Sequence, residues 1–233
     1  MKAQTRRELL DLVKANYSAI AADFARDRQR AFWPELVKII TEIIPTEQPS
    51  RVLDVGCGNG RLFKSLPPTA SYLGVDNSPE LLEQARESNT DQRAVFKTGD
   101  ILELNKLPEV NFSHIFAIAV LHHLPGRQLQ LEALKQLKSK LAPDGRLVVT
   151  AWNLWSESKY RKLIWRFWFL KLLGRNKMDF GDIVFDWQGS KQPSRRYYHA
   201  FRTKELKKLA RAAGLKLDSF SKDRLNYYLI LKK

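Results

Sequence analysis

Cysteine is almost missing from this chain: Cys57 is the one thiol in 233 residues, which excludes a disulfide scaffold and points to a reducing compartment. No apolar run approaches the roughly 20 residues needed to span a bilayer, so stable membrane insertion is not expected. The first residues, MKAQTRRELLDLVK, lack the apolar core of a signal peptide, and a cytoplasmic location is expected. Acidic residues are scarce in one region only. Residues 151–233 carry 20 Lys and Arg against 7 Asp and Glu, whereas residues 1–50 carry 8 against 7 and residues 51–150 carry 12 against 11. Nearly all of the net charge of +15 therefore sits in the last third, a field that attracts a polyanion. A hydrophobic fraction of 44% with 11% aromatics is that of an ordinary globular protein. The length supports one sizeable core, so residues 1–233 are expected to form a single domain.

Residues 5–46 read as one or two helices, with Leu9, Leu10, Leu12 and Val13 on one face and Leu36, Ile39, Ile40 and Ile43 continuing after Trp33-Pro34. From Arg51 the pattern alternates. RVLDVG reads as a strand ending in glycine, GRLFKSL as a helix, and SYLGVD as a strand. Ser78 and Pro79 start a helix as N-cap and first helical residue. AVFKTGD, FSHIFAIAV and RLVVTAW read as three further strands, with a helix marked by Leu131, Leu134, Leu137 and Leu141 before the last. Strands alternating with helices at this spacing predict an α/β fold with a doubly wound, mostly parallel sheet. The expected organisation is an N-terminal helical cap (1–50), a cofactor-binding core (51–152), an aromatic and basic insertion (153–201), then a helix from Thr203 to Gly214 and a terminal strand pair (202–233).

The most informative segment is Asp54-Val55-Gly56-Cys57-Gly58-Asn59-Gly60. Glycines at the end of a buried strand let the backbone turn tightly and approach a ligand. The third glycine comes one place earlier than in the dinucleotide pattern, and Arg61 stands where that pattern wants glycine. Asp54 would repel a pyrophosphate but attract a ligand bearing an amine and a sulfonium. This argues for S-adenosylmethionine over a nicotinamide dinucleotide. Asp76, followed by Asn77, ends the second strand where it could accept the ribose hydroxyls. Asp100 and Ile101 end the third, placed for the adenine amino group and ring. Three strand tips would thus converge on one crevice.

DVGCGNG, GVDNS, GDI and FAIAVLHHL together resemble the cofactor motifs of class I S-adenosylmethionine-dependent methyltransferases. The resemblance implies a Rossmann-like, seven-stranded sheet whose last two strands are antiparallel. By position it implies a cofactor pocket lined by Asp54, Gly56, Gly58, Asn59, Gly60, Asp76, Asn77, Asp100, Ile101 and Ala119.

The methyl acceptor is narrowed by what is missing. Addition to pyrimidine C5 needs a thiolate, and Cys57 inside the glycine loop reads as a packing residue. An Asn-Pro-Pro-Tyr motif for base amines is absent; Leu121-His122-His123-Leu124 occupies that place. No carboxylate cluster suggests a metal, and adjacent histidines make a poor metal pair. An oxygen acceptor remains, and a carboxylate fits because it is already ionised at neutral pH. His122 could contact the cofactor or act as a base.

A narrower resemblance covers most of the chain. Tyr17, Ile20-Ala21, Phe24, Arg28 and Trp33-Pro34, then Ile118 to His123, Ala151-Trp152, Asp182 to Trp187, and Arg196-Tyr197-Tyr198-His199-Ala200-Phe201 resemble the tRNA methyltransferases that esterify carboxymethyluridine at the wobble position. Where that family carries Val-Pro-Trp, this chain has Phe185-Asp186-Trp187, and the N-terminal signature is spaced one residue differently. The resemblance implies the tRNA anticodon loop as substrate and a small activator protein as a partner. Under it, Arg196 would hold the substrate carboxylate or a phosphate, Tyr197 and His199 would orient the uridine, and Arg28 would contact the cofactor's carboxylate or close the pocket. Trp152, Trp187, Tyr197 and Tyr198 could stack a splayed base. The basic aromatic stretch 157–173 reads as a helix that packs on the sheet, covers the pocket, meets a partner protein or lies at a membrane surface. Two other readings share the same core: a small-molecule O-methyltransferase acting on a quinone precursor or similar metabolite, and an inactive subunit that binds RNA or a partner.

Overall fold

The computed structural model describes residues 1–27, 32–187 and 194–233, the side chains of residues 18–27 excepted. Strands β1 (Ser50–Val55), β2 (Ala70–Asp76), β3 (Ala94–Thr98), β4 (Phe112–Ile118), β5 (Leu141–Trp152), β8 (Lys216–Lys222) and β9 (Asn226–Lys232) form one sheet in the order β3-β2-β1-β4-β5-β9-β8. The pairs through β5 are parallel, whereas β9 runs antiparallel to both β5 and β8. This is the α/β, seven-stranded arrangement that the motifs implied. The chain order reverses between β1 and β4, and open α/β sheets bind ligands at the carboxyl ends of the strands beside such a point.

Alternation along each strand fills both faces. Leu53 and Val55 join Ile115, Leu147, Val149, Leu229 and Leu231 in a core on one side. Val52 joins Phe116, Val148, Tyr228 and Ile230 on the other. Helices α4 (Arg127–Lys140) and α6 (Thr203–Ala212) cover the first face through Leu134, Leu137, Leu206 and Leu209. Helices α2 (Pro34–Ile43) and α3 (Pro79–Ser88) cover the second through Leu36, Ile40 and Leu82. The α3 terminus is built as its sequence predicts: the Ser78 hydroxyl accepts the Leu81 N–H at 3.3 Å and Pro79 opens the helix.

Two expectations differ from the structure. GRLFKSL is a single 3₁₀ turn, Arg61–Ser65, and not an α-helix. Pro67 forces Leu66 out of the helical region, to φ −92° and ψ 148°, before a second turn can form. The insertion also holds a second sheet, where the sequence pattern led to no strand: β6 (Asp182–Trp187) pairs antiparallel with β7 (Ser194–His199). Its residues alternate cleanly. Phe185, Arg196 and Tyr198 share one face, and Val184, Tyr197, Asp182 and His199 share the other.

The second face meets helix α1 (Ala3–Asp27), where Leu9 and Tyr197 pack with Met178. It also buries a polar cluster. Asp182 Oδ1 accepts from the Tyr197 hydroxyl at 2.8 Å and pairs with His199 Nδ1 at 2.7 Å, while Asp182 Oδ2 accepts the Asp179 N–H at 2.8 Å. His199 Nε2 reaches Glu205 Oε1 at 3.0 Å, tying the ribbon to α6. Burial alone would lower the His199 pKa, but hydrogen bonds and charge from Asp182 and Glu205 override it and raise the value from 6.5 to about 9. The imidazolium is thus the buried form at neutral pH. A raised histidine stabilises the fold fully below its unfolded pKa and loses that contribution as pH climbs through the folded one. Denaturant titrations should therefore show stability falling by about 3 kcal/mol between pH 6.5 and pH values above 9, with the dependence flattened in His199→Gln.

Candidate active site at the strand tips

A cavity of about 330 Å³ opens at the carboxyl ends of β1, β2 and β4. Gly56 turns the chain out of β1 with φ +75°, and a Cβ there would lie 2.4 Å from Val120 Cγ2. No other residue type combines that backbone with that space. Ala119, at the tip of β4, also adopts a left-handed φ of 58°. Its N–H is held by Thr150, 2.9 Å from the hydroxyl and 3.2 Å from the carbonyl oxygen. Such a cost, of order 1–3 kcal/mol in a non-glycine residue, is tolerated where the surroundings fix it, typically at binding sites.

Two carboxylates are buried side by side in the floor. Asp76 Oδ2 accepts the Gly58 N–H at 2.8 Å and Oδ1 accepts the Ser78 N–H at 3.0 Å, so the second strand tip stitches the glycine turn in place. Burial raises the Asp76 pKa, opposed by these backbone hydrogen bonds. Asp54 receives the Tyr72 hydroxyl on Oδ2 at 2.8 Å, while its Oδ1 is buried with no hydrogen-bond partner. Burial pushes Asp54 up to about 7, with the Tyr72 hydrogen bond lowering it, Asp76 raising it and Arg61 lowering it. An orphaned buried carboxylate oxygen at a cavity wall is the complement of a cationic donor. The donor set thus fits the ammonium of S-adenosylmethionine. Asp100 uses Oδ1 to cap the following turn through the Leu102 N–H, and Asn77 Nδ2 lies 3.4 Å from its Oδ2.

The structure brings together Asp54, Gly56, Gly58, Asn59, Asp76, Asn77, Asp100, Ile101, Ala119 and His122 around this cavity. Gly60 is not among its lining residues; it faces inward, where a Cβ would sit 2.6 Å from Phe96. Arg28 lies outside the described residues. Cys57 packs in the second core, as expected of a small buried residue.

Three predicted acceptor residues sit elsewhere. Tyr197 and His199 are buried in the Asp182 cluster, their polar atoms turned to Asp182 and Glu205 and not to the cavity. Strand alternation separates them from Tyr198, which faces the site. Arg196 does not line the cavity either: its guanidinium covers the Trp187 ring at 4.3 Å and lies 3.4 Å from the Tyr198 hydroxyl. Tyr197, Tyr198 and Trp187 are therefore packed, and of the four aromatic residues suggested for base stacking only Trp152 lines the cavity. Tyr198 instead backs the wall, its ring 5.1 Å from His122, 4.9 Å from His123 and 5.0 Å from Trp152.

Helix α1 supplies a wall that the sequence motifs did not identify, through Leu10, Val13, Lys14 and Tyr17. The Tyr17 hydroxyl lies 2.7 Å from His123 Nε2, linking this helix to the loop after β4. The 3.6-residue period puts Leu10 and Val13 on the apolar helix face, but nothing local says that this face and Tyr17 one turn on roof a ligand site. Among the described residues no His, Cys, Asp and Glu cluster could hold a metal, and no helix is long and apolar enough to cross a membrane.

Residues 24–219 match the family described as methyltransferase domain. The chain belongs to that family. With its strand-tip acids and glycine turn, it is an S-adenosylmethionine-dependent methyltransferase of the class I fold. It is 25% identical over 229 residues to the tRNA (carboxymethyluridine(34)-5-O)-methyltransferase of Schizosaccharomyces pombe, covering 93% of this chain and 94% of that one. The enzyme of the same name from Saccharomyces cerevisiae is 32% identical over 148 residues, covering 62% of this chain and 49% of its own length. An S-adenosylmethionine-dependent methyltransferase of Methanosarcina mazei superposes with a TM-score of 0.70 at 19% identity, over 88% of this chain and 99% of that one.

Two outcomes follow for this methyltransferase. A cation beside Asp54 favours its ionised form, so S-adenosylmethionine binding releases a proton below pH 7. Calorimetric affinity should rise with pH, by up to about tenfold per unit, until it levels above pH 7, and Asp54→Asn should remove the slope. Gly56→Ala should abolish measurable binding by the same assay, because both the φ and the Val120 contact oppose a methyl group.

Proposed function

We propose that this methyltransferase esterifies the carboxymethyl group of a modified wobble uridine in tRNA, acting in the cytoplasm. The observation that carries this reading is the near end-to-end match to the fission yeast enzyme of that name. The concentration of cations in residues 151–233 supports it, since phosphate contacts supply much of the affinity for RNA.

Asp54 receives the amino group of the methyl donor, Asp76 its ribose hydroxyls, and Asp100 with Ile101 its adenine. Arg28 contacts the donor's carboxylate, and Asn59, Gly60 and Asn77 shape the loops around it. S-adenosylmethionine supplies an electrophilic methyl group on sulfur. The acceptor carboxylate is already ionised at neutral pH, so no residue has to remove a proton before it accepts the methyl group. The chain's task is placement. His122, His123, Trp152 and Tyr17 wall the acceptor end, and Lys14 is the cation on α1 that lines the same space. We assign Lys14 to the acceptor's negative charge in place of Arg196. Arg196 becomes a positioning residue that holds Tyr198 against the two histidines. The ribbon β6–β7 of segment 153–201 presents that wall, and a small activator protein would act on the assembled site from outside.

The test is incubation with labelled S-adenosylmethionine and total tRNA, followed by nucleoside mass spectrometry. A methyl ester on a wobble uridine is expected, and binding to tRNA should weaken steeply with salt. Label confined to lipids or small metabolites would replace this reading with a small-molecule O-methyltransferase. Lys14→Ala should raise KM for tRNA by about tenfold while the Kd for S-adenosylmethionine stays within about twofold.

A further inference from the structure

Helix α5 (Ser158–Leu172) is only half accounted for by the fold. Its inner face is buried: Tyr160 packs 5.4 Å from Phe185, and Ile164 joins the same cluster beside Tyr198. Its outer face carries Trp165, Phe169 and Leu172 at helical spacing, 50%, 57% and 64% exposed, with Trp168 beside them and Leu173 just beyond. One turn earlier the same face carries Arg161 and Lys162, and Arg166 flanks it. The helix has five Lys and Arg and no Asp or Glu. Apolar side chains of this size in water are a cost that a closed monomer does not incur without use.

We propose that the outer face of α5 is a peripheral docking surface for an anionic lipid bilayer. None of these side chains lines the cavity, and they stand exposed along one ridge of the helix, which suits shallow insertion among headgroups. Tryptophan prefers the interfacial layer, the phenylalanine and leucines reach the acyl boundary, and the cations lie at phosphate level. Nucleic acid would satisfy the cations and could stack on Trp165, but it would leave Leu172 and Leu173 in water. A second copy of this chain would bring two strongly cationic surfaces together, at +15 for each chain. The acceptor of the methyl group does not enter the proposal, which stands whichever substrate the cavity takes.

The experiment is co-flotation of the full chain with vesicles of phosphatidylcholine alone and with vesicles containing about one-third phosphatidylserine. Binding to the second and little to the first is expected, weakening as salt rises. The variant Trp165→Ala/Phe169→Ala/Leu172→Ala should bind at least about tenfold less, with unchanged Tm and unchanged affinity for S-adenosylmethionine. Lys162→Ala/Arg166→Ala should lose most of the preference for phosphatidylserine. No flotation of the native chain, or equal flotation of the triple variant, overturns the proposal. A triple variant that leaves flotation intact but loses tRNA affinity would instead make the ridge an RNA surface, and a dimer abolished by the same changes would make it a contact between copies.

Discussion

Placing two carboxylates, Asp54 and Asp76, in the buried floor of one cavity is the constraint on which this site depends. Each is raised by burial; the charge of Asp76 raises Asp54 further, and that of Asp100 adds to the rise at Asp76. The fold tolerates Asp76 by filling both of its oxygens with backbone N–H groups, which also locks the glycine turn to the neighbouring strand. It leaves one oxygen of Asp54 without a partner. The asymmetry separates a structural acid from one kept for a ligand, and it stores a penalty that a bound cation relieves.

Around that pair the architecture is arranged to keep water and backbone where they are needed. Gly56 and Ala119 put left-handed residues at the tips of the two strands that flank the switch in strand order. Tyr72 and Thr150, both fully buried, hold Asp54 and Ala119 from within the sheet. The far wall is aromatic: His122, His123, Trp152 and Tyr198 contact one another as a cluster that joins the main sheet to the two-stranded ribbon. Packing and polar fixation thus meet at a single place, where the sheet, the ribbon and α1 converge.

The sheet and cofactor loops were legible in the sequence because their signals are local. An apolar strand closing on glycine and an acid, repeated at three strand ends, fixes both elements and their shared edge. The 3₁₀ turn at Arg61–Ser65 was misread because helical spacing outweighed the prolines just beyond it. The acceptor side was hard to read for a different reason. In Arg196-Tyr197-Tyr198-His199 the chemistry-bearing residues are adjacent, but strand alternation sends Tyr197 and His199 to the face away from the cavity, toward α1 and α6, and Tyr198 to the face beside it. Asp182, whose role is to saturate Tyr197 and His199, lies many residues away. Lys14 carries no motif, and Tyr17 enters the family resemblance without a role; both reach the site through the tertiary placement of α1.

The position of β9 between β5 and β8 has a consequence for how the protein is made. The pairing edge of β5, with its run Leu147-Val148-Val149-Thr150-Ala151, stays without a neighbour until residues 226–232 have left the ribosome. A β-branched, apolar strand edge left open during synthesis is a template for association between nascent chains. The central parallel strands can collapse early, but the sheet is sealed last by an inner strand, one in from its rim. Production of this methyltransferase in a foreign host should accordingly be governed less by the stability of the finished fold than by how long that edge goes unattended.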